Sequence, residues 1–135
     1  MKKTILLAFA ALLLQPVFSQ SEKYIGAMKK NIGEIDSAFV QNEATRLNDI
    51  AATFERIGDA EKPQWLPFYY AAYCQVTIAF IKNDVANNDV VADKVDQLIA
   101  KAEALQAKNS ELSLLKAMNT SLRMLVNPMQ RYMQY

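Results

Sequence analysis

The chain has no histidine, one cysteine and only three glycines in 135 residues. Each shortage closes off something. Without histidine there is no ordinary general base near neutral pH, no imidazole for zinc or haem, and no Ser-His or Cys-His nucleophile pair. With Cys74 alone there is no internal disulfide, so the fold must rest on apolar burial. Gly26, Gly33 and Gly58 are the only glycines, and no run of β-branched residues alternates with polar ones, which leaves little from which to build strands and hairpins. The apolar run Thr4 to Leu14 has 11 residues, well short of the roughly 20 that a membrane-spanning helix needs. Excess charge is lacking too: 15 basic side chains face 14 acidic ones. A chain that is nearly neutral carries no electrostatic footprint for nucleic acid or an anionic membrane. The pair Lys29-Lys30 reads as a solvated helix face.

What is present begins with a leader. Lys2 and Lys3 form a basic start, Thr4 to Leu14 an apolar stretch, Gln15-Pro16 a break, and Val17-Phe18-Ser19 a set of modest side chains before a cut. That order is the pattern of a cleavable secretory signal. We therefore expect residues 1–19 to be removed between Ser19 and Gln20, placing the product in the periplasm or outside the cell, with no membrane anchor afterwards. No Cys follows the apolar stretch, which argues against a lipoprotein. Loss of Lys2 and Lys3 leaves 13 basic and 14 acidic side chains, a net charge of −1.

The remainder, 20–135, is read as one helical domain. Apolar residues recur at steps of three and four, the helical period. Ile25, Met28, Ile32, Ile35 and Phe39 mark a first helix over 21–36, and Leu47, Ile50, Ala51, Phe54 and Ile57 a second over 38–57. Gly58 is expected to end the second in a left-handed conformation. A third helix over 64–82 carries Trp65, Phe68, Tyr69, Ala72, Tyr73, Val76 and Phe80 in a stripe that Leu66, Tyr70, Ala71, Thr77, Ile78 and Ile81 widen almost around it. Such an apolar helix should be central. The fourth, over 90–107, shows Val91, Val95, Leu98, Ile99, Ala102 and Leu105. The fifth is capped by Asn109 or Ser110 and lined by Leu112, Leu115, Met118, Leu122 and Leu125. Asn127-Pro128 opens a sixth helix that stops after Met129, Tyr132 and Met133, too short to be stable alone: either it docks back on the fifth helix, or the chain is a shortened form of something longer, the reading we favour.

Helix pairs joined by short turns invite comparison with repeats. The segment from Pro63 to Tyr73 resembles the first helix of a tetratricopeptide repeat: Trp65 and Phe68 hold the W-x2-L spacing, with Tyr69 at the small-residue position and Ala72 at the later aromatic. The segment from Leu105 to Leu112 is similar to a junction between repeats, without its proline. The interval from Trp65 to Glu111 is 46 residues rather than the usual 34. The whole resembles the front part of an exported tetratricopeptide-like protein of Gram-negative bacteria. The resemblance implies an all-α fold of antiparallel helix pairs stacked as a right-handed solenoid fragment. It also implies a scaffold for proteins or peptides, with the first helix of each pair lining a concave surface.

The candidate sites are few. Trp65, Phe68 and Tyr73 are expected in the core, while Tyr70 is expected to face a partner. The candidate partner surface is Tyr69, Tyr70 and Tyr73 together with Met129, Tyr132 and Met133. Cys74, mid-helix among apolar residues, reads as inert. Asp89, Asp93 and Asp96 share a helix face without the shaped loop a calcium ion needs, and no metal is expected. Asn119-Thr120-Ser121 matches a glycosylation sequon on an apolar helix. No catalytic residue and no cofactor is expected. The function expected is a non-enzymatic module that binds a protein or peptide. The alternative is a small periplasmic carrier holding an apolar ligand between the third and fifth helices.

Overall fold

The computed structural model describes residues 21–134, and the leader with its Ser19–Gln20 junction lies outside them. The described residues are all-helical: six α-helices, one short 3-10 turn and no strand. The helices are α1 (Glu22–Val40), α2 (Ala44–Ala60), α3 (Leu66–Lys82), α4 (Asn88–Leu105), α5 (Ser110–Val126) and the single turn α6 (Pro128–Arg131).

Their ends follow local chemistry. Ser21 caps α1 by accepting the Tyr24 N–H at 3.0 Å, and Asn109 caps α5 by accepting the Glu111 N–H at 2.8 Å, each satisfying a donor that the first turn leaves open. Left-handed residues punctuate the connections: Asn42 (φ 56°) follows α1 and Asn83 (φ 49°) ends α3. Asparagine tolerates this region better than most side chains do. Asn42 also divides α1 from α2, so the second helix starts at Ala44 and not at the expected 38. Pro67 falls in the first turn of α3, where its missing N–H breaks no helical bond.

Gly58 does not end α2. It lies inside the helix at ordinary helical φ and is buried. Its role is close approach: a Cβ there would stand 2.7 Å from Cε1 and Cζ of Phe68 on α3. Overpacking of this kind costs about 1–3 kcal/mol, against a gain of up to ~1 kcal/mol from alanine's better helix propensity. Gly58→Ala is therefore expected to destabilise by about 1–2 kcal/mol in a urea titration, and a stabilised variant would show that α2 and α3 can part without cost.

Each long helix packs on the one before it, and α3 also meets α1 and α5. This sets α1, α3 and α5 side by side, with α2 and α4 behind them. Long-range contacts fix the directions. The start of α1 meets the end of α2 where the Ser21 hydroxyl donates to Glu61 at 3.3 Å. The start of α4 meets the end of α5 where Asn88 donates to the Leu122 carbonyl at 3.1 Å. Sequential helices are thus antiparallel. The helices α2 and α4 reach each other through long side chains, Lys94 to Glu55 at 2.9 Å and Lys101 to Asp59 at 3.1 Å.

The core runs through α3, as its composition predicts: Phe68, Ala71, Ala72, Cys74, Val76, Ile78 and Ala79 are buried among Leu47, Phe54, Val95, Ile99, Leu112 and Leu122. Elsewhere the phase differs from expectation. In α1 the buried set is Tyr24, Met28, Ile35 and Ala38, while Ile25 and Phe39 stay exposed. Phe80, Leu105 and Leu125, expected in stripes, are exposed as well.

The turn α6 is tied down by charge. Arg131 gives two hydrogen bonds to Asp89 at the start of α4, at 2.6 and 2.8 Å, and one to the Arg123 carbonyl at 3.0 Å. Those hydrogen bonds, aided by the nearby charges of Arg131 and Arg123, hold the Asp89 carboxyl below its ordinary range. A lowered carboxylate pKa contributes stability above the unfolded value and loses it as pH falls through the folded one. The tether is thus expected to persist through mildly acid solution and to release only below the usual carboxylate range. Acid-induced change in the Tyr132 ring signals should follow that course, and should be absent in Asp89→Asn, whose α6 is loose at every pH.

Candidate functional site: a tyrosine face on the central helix

A helix packed on both flanks would be expected to hide its aromatics. Phe68 is buried, but Trp65, Tyr69, Tyr70 and Tyr73 are only half-buried. The reason lies in where the neighbours sit. On α3, Ala71, Ala72 and Ala79 are buried small side chains that let the neighbouring helices approach, and Phe68 fits against Gly58 of α2. Tyr69, Tyr73 and Phe80 follow at steps of four and seven, so they share another face, the one bordered by α1 and α5. Trp65 and Tyr73 are therefore half-buried and pack against the core from its edge, where their spacing suggests full burial. Tyr70, expected to be the outward member, is half-buried like its neighbours because its ring stacks on Phe54 of α2, with centroids 5.3 Å apart.

The rings form one connected group. Tyr69 meets Trp65 edge-on at 5.9 Å, Tyr70 edge-on at 5.1 Å, and Tyr73 in a stacked pair at 6.3 Å. Offset and edge-on pairs at these distances are mutually favourable. The Tyr69 hydroxyl donates to the Glu111 carboxylate at the start of α5, at 3.4 Å. Burial, then Glu111, push the Tyr69 pKa up to about 12. Tyr70 is raised by burial first, then by Glu111 and by Asp36 of α1. Three helices thus converge on Tyr70, and two of them bring a carboxylate.

The six candidate partner residues fall into two groups. Tyr69, Tyr70 and Tyr73 belong to the α3 face beside the start of α5. Met129, Tyr132 and Met133 lie on or just after α6, beyond the other end of α5, and are 88, 65 and 77% exposed. A helix of 17 residues is about 25 Å long, so the groups do not form one patch.

The remaining candidates resolve into structure. Cys74 is buried, and that burial pushes its thiol to about 12, far from a reactive thiolate at neutral pH. Asp93 and Asp96 share Arg123, at 2.8 and 2.6 Å, and Asp89 takes Arg131, so this acidic face is neutralised by arginines from the next helix and the turn. Among the described residues no group of three or more His, Cys, Asp or Glu could hold a metal ion, and no helix is long and apolar enough to cross a membrane. Asn119 of the sequon is 1% exposed, closed to a glycan in the folded protein. A cleft of about 220 Å³ lies between α1 and α2 around Tyr24, Arg56 and Ile57, and one of about 300 Å³ near the junction of α3 and α4 around Gln75, Lys82 and Asn88.

No protein-family model matches the chain, and no curated protein or solved structure does either.

Proposed function

We propose that the chain is a non-enzymatic, exported helical-repeat module of tetratricopeptide type that binds a peptide or protein segment across the face formed by α1, α3 and α5. One observation carries the reading: the central helix keeps three tyrosines and a tryptophan half-buried and in mutual contact, where its other flanks are fully buried. Tyrosine and tryptophan offer large contact area at little conformational cost and a polar end for hydrogen bonding, which is why they concentrate in binding surfaces.

The layering supports the comparison with tetratricopeptide repeats. Contact of α3 with both α1 and α5, with α2 and α4 spanned by lysines, is what a stack curving toward its first helices requires. On that comparison the face is the one lined by the first helix of each pair. The test is selection from a displayed library of random nine-residue peptides against the purified chain. Enriched peptides are expected to lose at least about tenfold in affinity against Tyr73→Ala, the effect of one truncated aromatic anchor, while a control at exposed Met129 leaves them unchanged. Enrichment indifferent to Tyr73, or none at all, would remove the reading.

A further inference from the structure

The tyrosine face has a chemical bias that narrows its ligand. Helical spacing extends the face on both sides. On α1, Ile25, Ile32, Asp36 and Phe39 are separated by seven, four and three residues, and Asp36 acts on Tyr70. On α5, Glu111, Leu114, Met118 and Leu125 are separated by three, four and seven, and Glu111 accepts from Tyr69. Residues so spaced share one side of a helix. Ile25, Phe39, Phe80, Leu114 and Leu125 are all exposed. The surface is therefore apolar and aromatic, with a carboxylate on either side of Tyr70.

Those carboxylates are not spent on ion pairs. Among the described residues, lysines and arginines pair with Glu34, Glu43, Glu55, Asp59, Asp89, Asp93, Asp96 and Glu103, and with neither Asp36 nor Glu111. On the Asp36 side of α1 the nearest lysine by spacing is Lys29, two turns away, about 10 Å along the axis. The tyrosine rings add their own bias, because an aromatic face carries negative potential. The two carboxylates and the rings then act in one direction, raising the local preference for positive charge.

Resting on the peptide-binding reading above, we infer that this face selects a peptide segment bearing an arginine or lysine between apolar side chains. The cation would lie against the tyrosine rings between Asp36 and Glu111, and the apolar neighbours along Phe39, Phe80 and Leu114. Arginine suits the site better than lysine, since its flat guanidinium can stack on a ring while donating to a carboxylate.

The library selection separates the two claims. Enriched nine-residue peptides are expected to carry a basic residue near their centre. One such peptide, synthesised with arginine, with citrulline (the same shape without charge) and with glutamate, should bind in that order when followed by fluorescence anisotropy. Arginine should exceed citrulline by about fivefold or more, as one cation–π contact and one partly screened ion pair allow. The double variant Asp36→Asn, Glu111→Gln should cut that ratio to the roughly twofold that the cation–π contact alone supports, and helical circular dichroism and melting like the parent's show that the variant is folded. Enriched peptides that depend on Tyr73 yet lack basic residues, or equal binding of the arginine and citrulline forms, would overturn the charge preference and leave peptide binding standing. Absence of any Tyr73-dependent peptide overturns both.

Discussion

Phe54→Ala is expected to lower stability by about 3–5 kcal/mol, the usual cost of emptying a buried phenylalanine site. Phe54 is 0% exposed and lies between α2 and the central helix, with its ring stacked on Tyr70 at an interplanar angle of 22°. A domain of this size has a total of roughly 5–15 kcal/mol, so the loss would take a large share of it. At ~4 °C per kcal/mol the melting temperature should drop by roughly 12–20 °C. Because Phe54 is also the floor under Tyr70, a second variant separates packing from positioning. Phe54→Leu keeps most of the volume and should cost less than about 1.5 kcal/mol, yet it removes the ring that holds Tyr70 in place. The near-ultraviolet circular dichroism of the tyrosines should then change in a protein that melts almost normally. An alanine variant within about 1 kcal/mol of the parent, read by urea titration, would mean that α2 collapses onto α3 and that the tyrosine face is not held from below.

Why the burial of Phe54 is legible from spacing and the surroundings of the tyrosines are not is a matter of which information is local. Helical period is local. Leu47, Ile50, Ala51 and Phe54 repeat at three and four, and all are buried. Caps are local too: Asn109 and Asn127 stand where their side chains accept the N–H groups of Glu111 and Gln130. Period says that a helix has an apolar side, but it does not choose between two sides that are both apolar. In α1, Ile25, Ile32 and Phe39 repeat as regularly as Tyr24, Met28, Ile35 and Ala38, and the second set is buried because α2 and α3 pack on that flank. The same ambiguity makes Trp65 and Tyr73 look fully buried, when they are half-buried and pack against the core from its edge. Gly58 depended on Phe68, in another helix. The pairing of Asp89 with Arg131 spans 42 positions, and no local pattern announces it. The face proposed as a binding surface is thus a product of assembly, assembled from residues that are individually ordinary in their own helices.

Asn119 shows the same dependence on assembly, and its removal is expected to cost about 2–3 kcal/mol. It sits in the middle of α5 on the buried stripe, where spacing would ask for a leucine. Its amide donates to the Ala92 carbonyl at 3.0 Å and to the Asp96 carboxylate at 2.7 Å, both on α4. Asn88 of α4 returns the contact by donating to the Leu122 carbonyl of α5. The two asparagines cross-stitch the helix pair and fit only one register. Asn119→Ala loses both hydrogen bonds and leaves a small cavity, whence the expected loss. Yet the Asn119 Oδ1 is buried without a partner, a standing cost of about 1–3 kcal/mol. Asn119→Leu removes that orphan atom, fills the space, and leaves Asp96 its bond to Arg123. Its stability is therefore expected to fall within about 1 kcal/mol of the parent. What it should lose is register: α5 could then slide against α4, and the pair Asn88→Leu, Asn119→Leu should show broadened amide resonances along both helices in a chain that still melts near the parent's temperature. Buried polar groups serve in this way in some helical assemblies, fixing alignment at the expense of stability. If the leucine variant falls as far as the alanine one, the asparagines stabilise α4 and α5 outright and register is set by Arg123 and Arg131 instead. If both variants keep sharp spectra and parental stability, the stitch contributes neither.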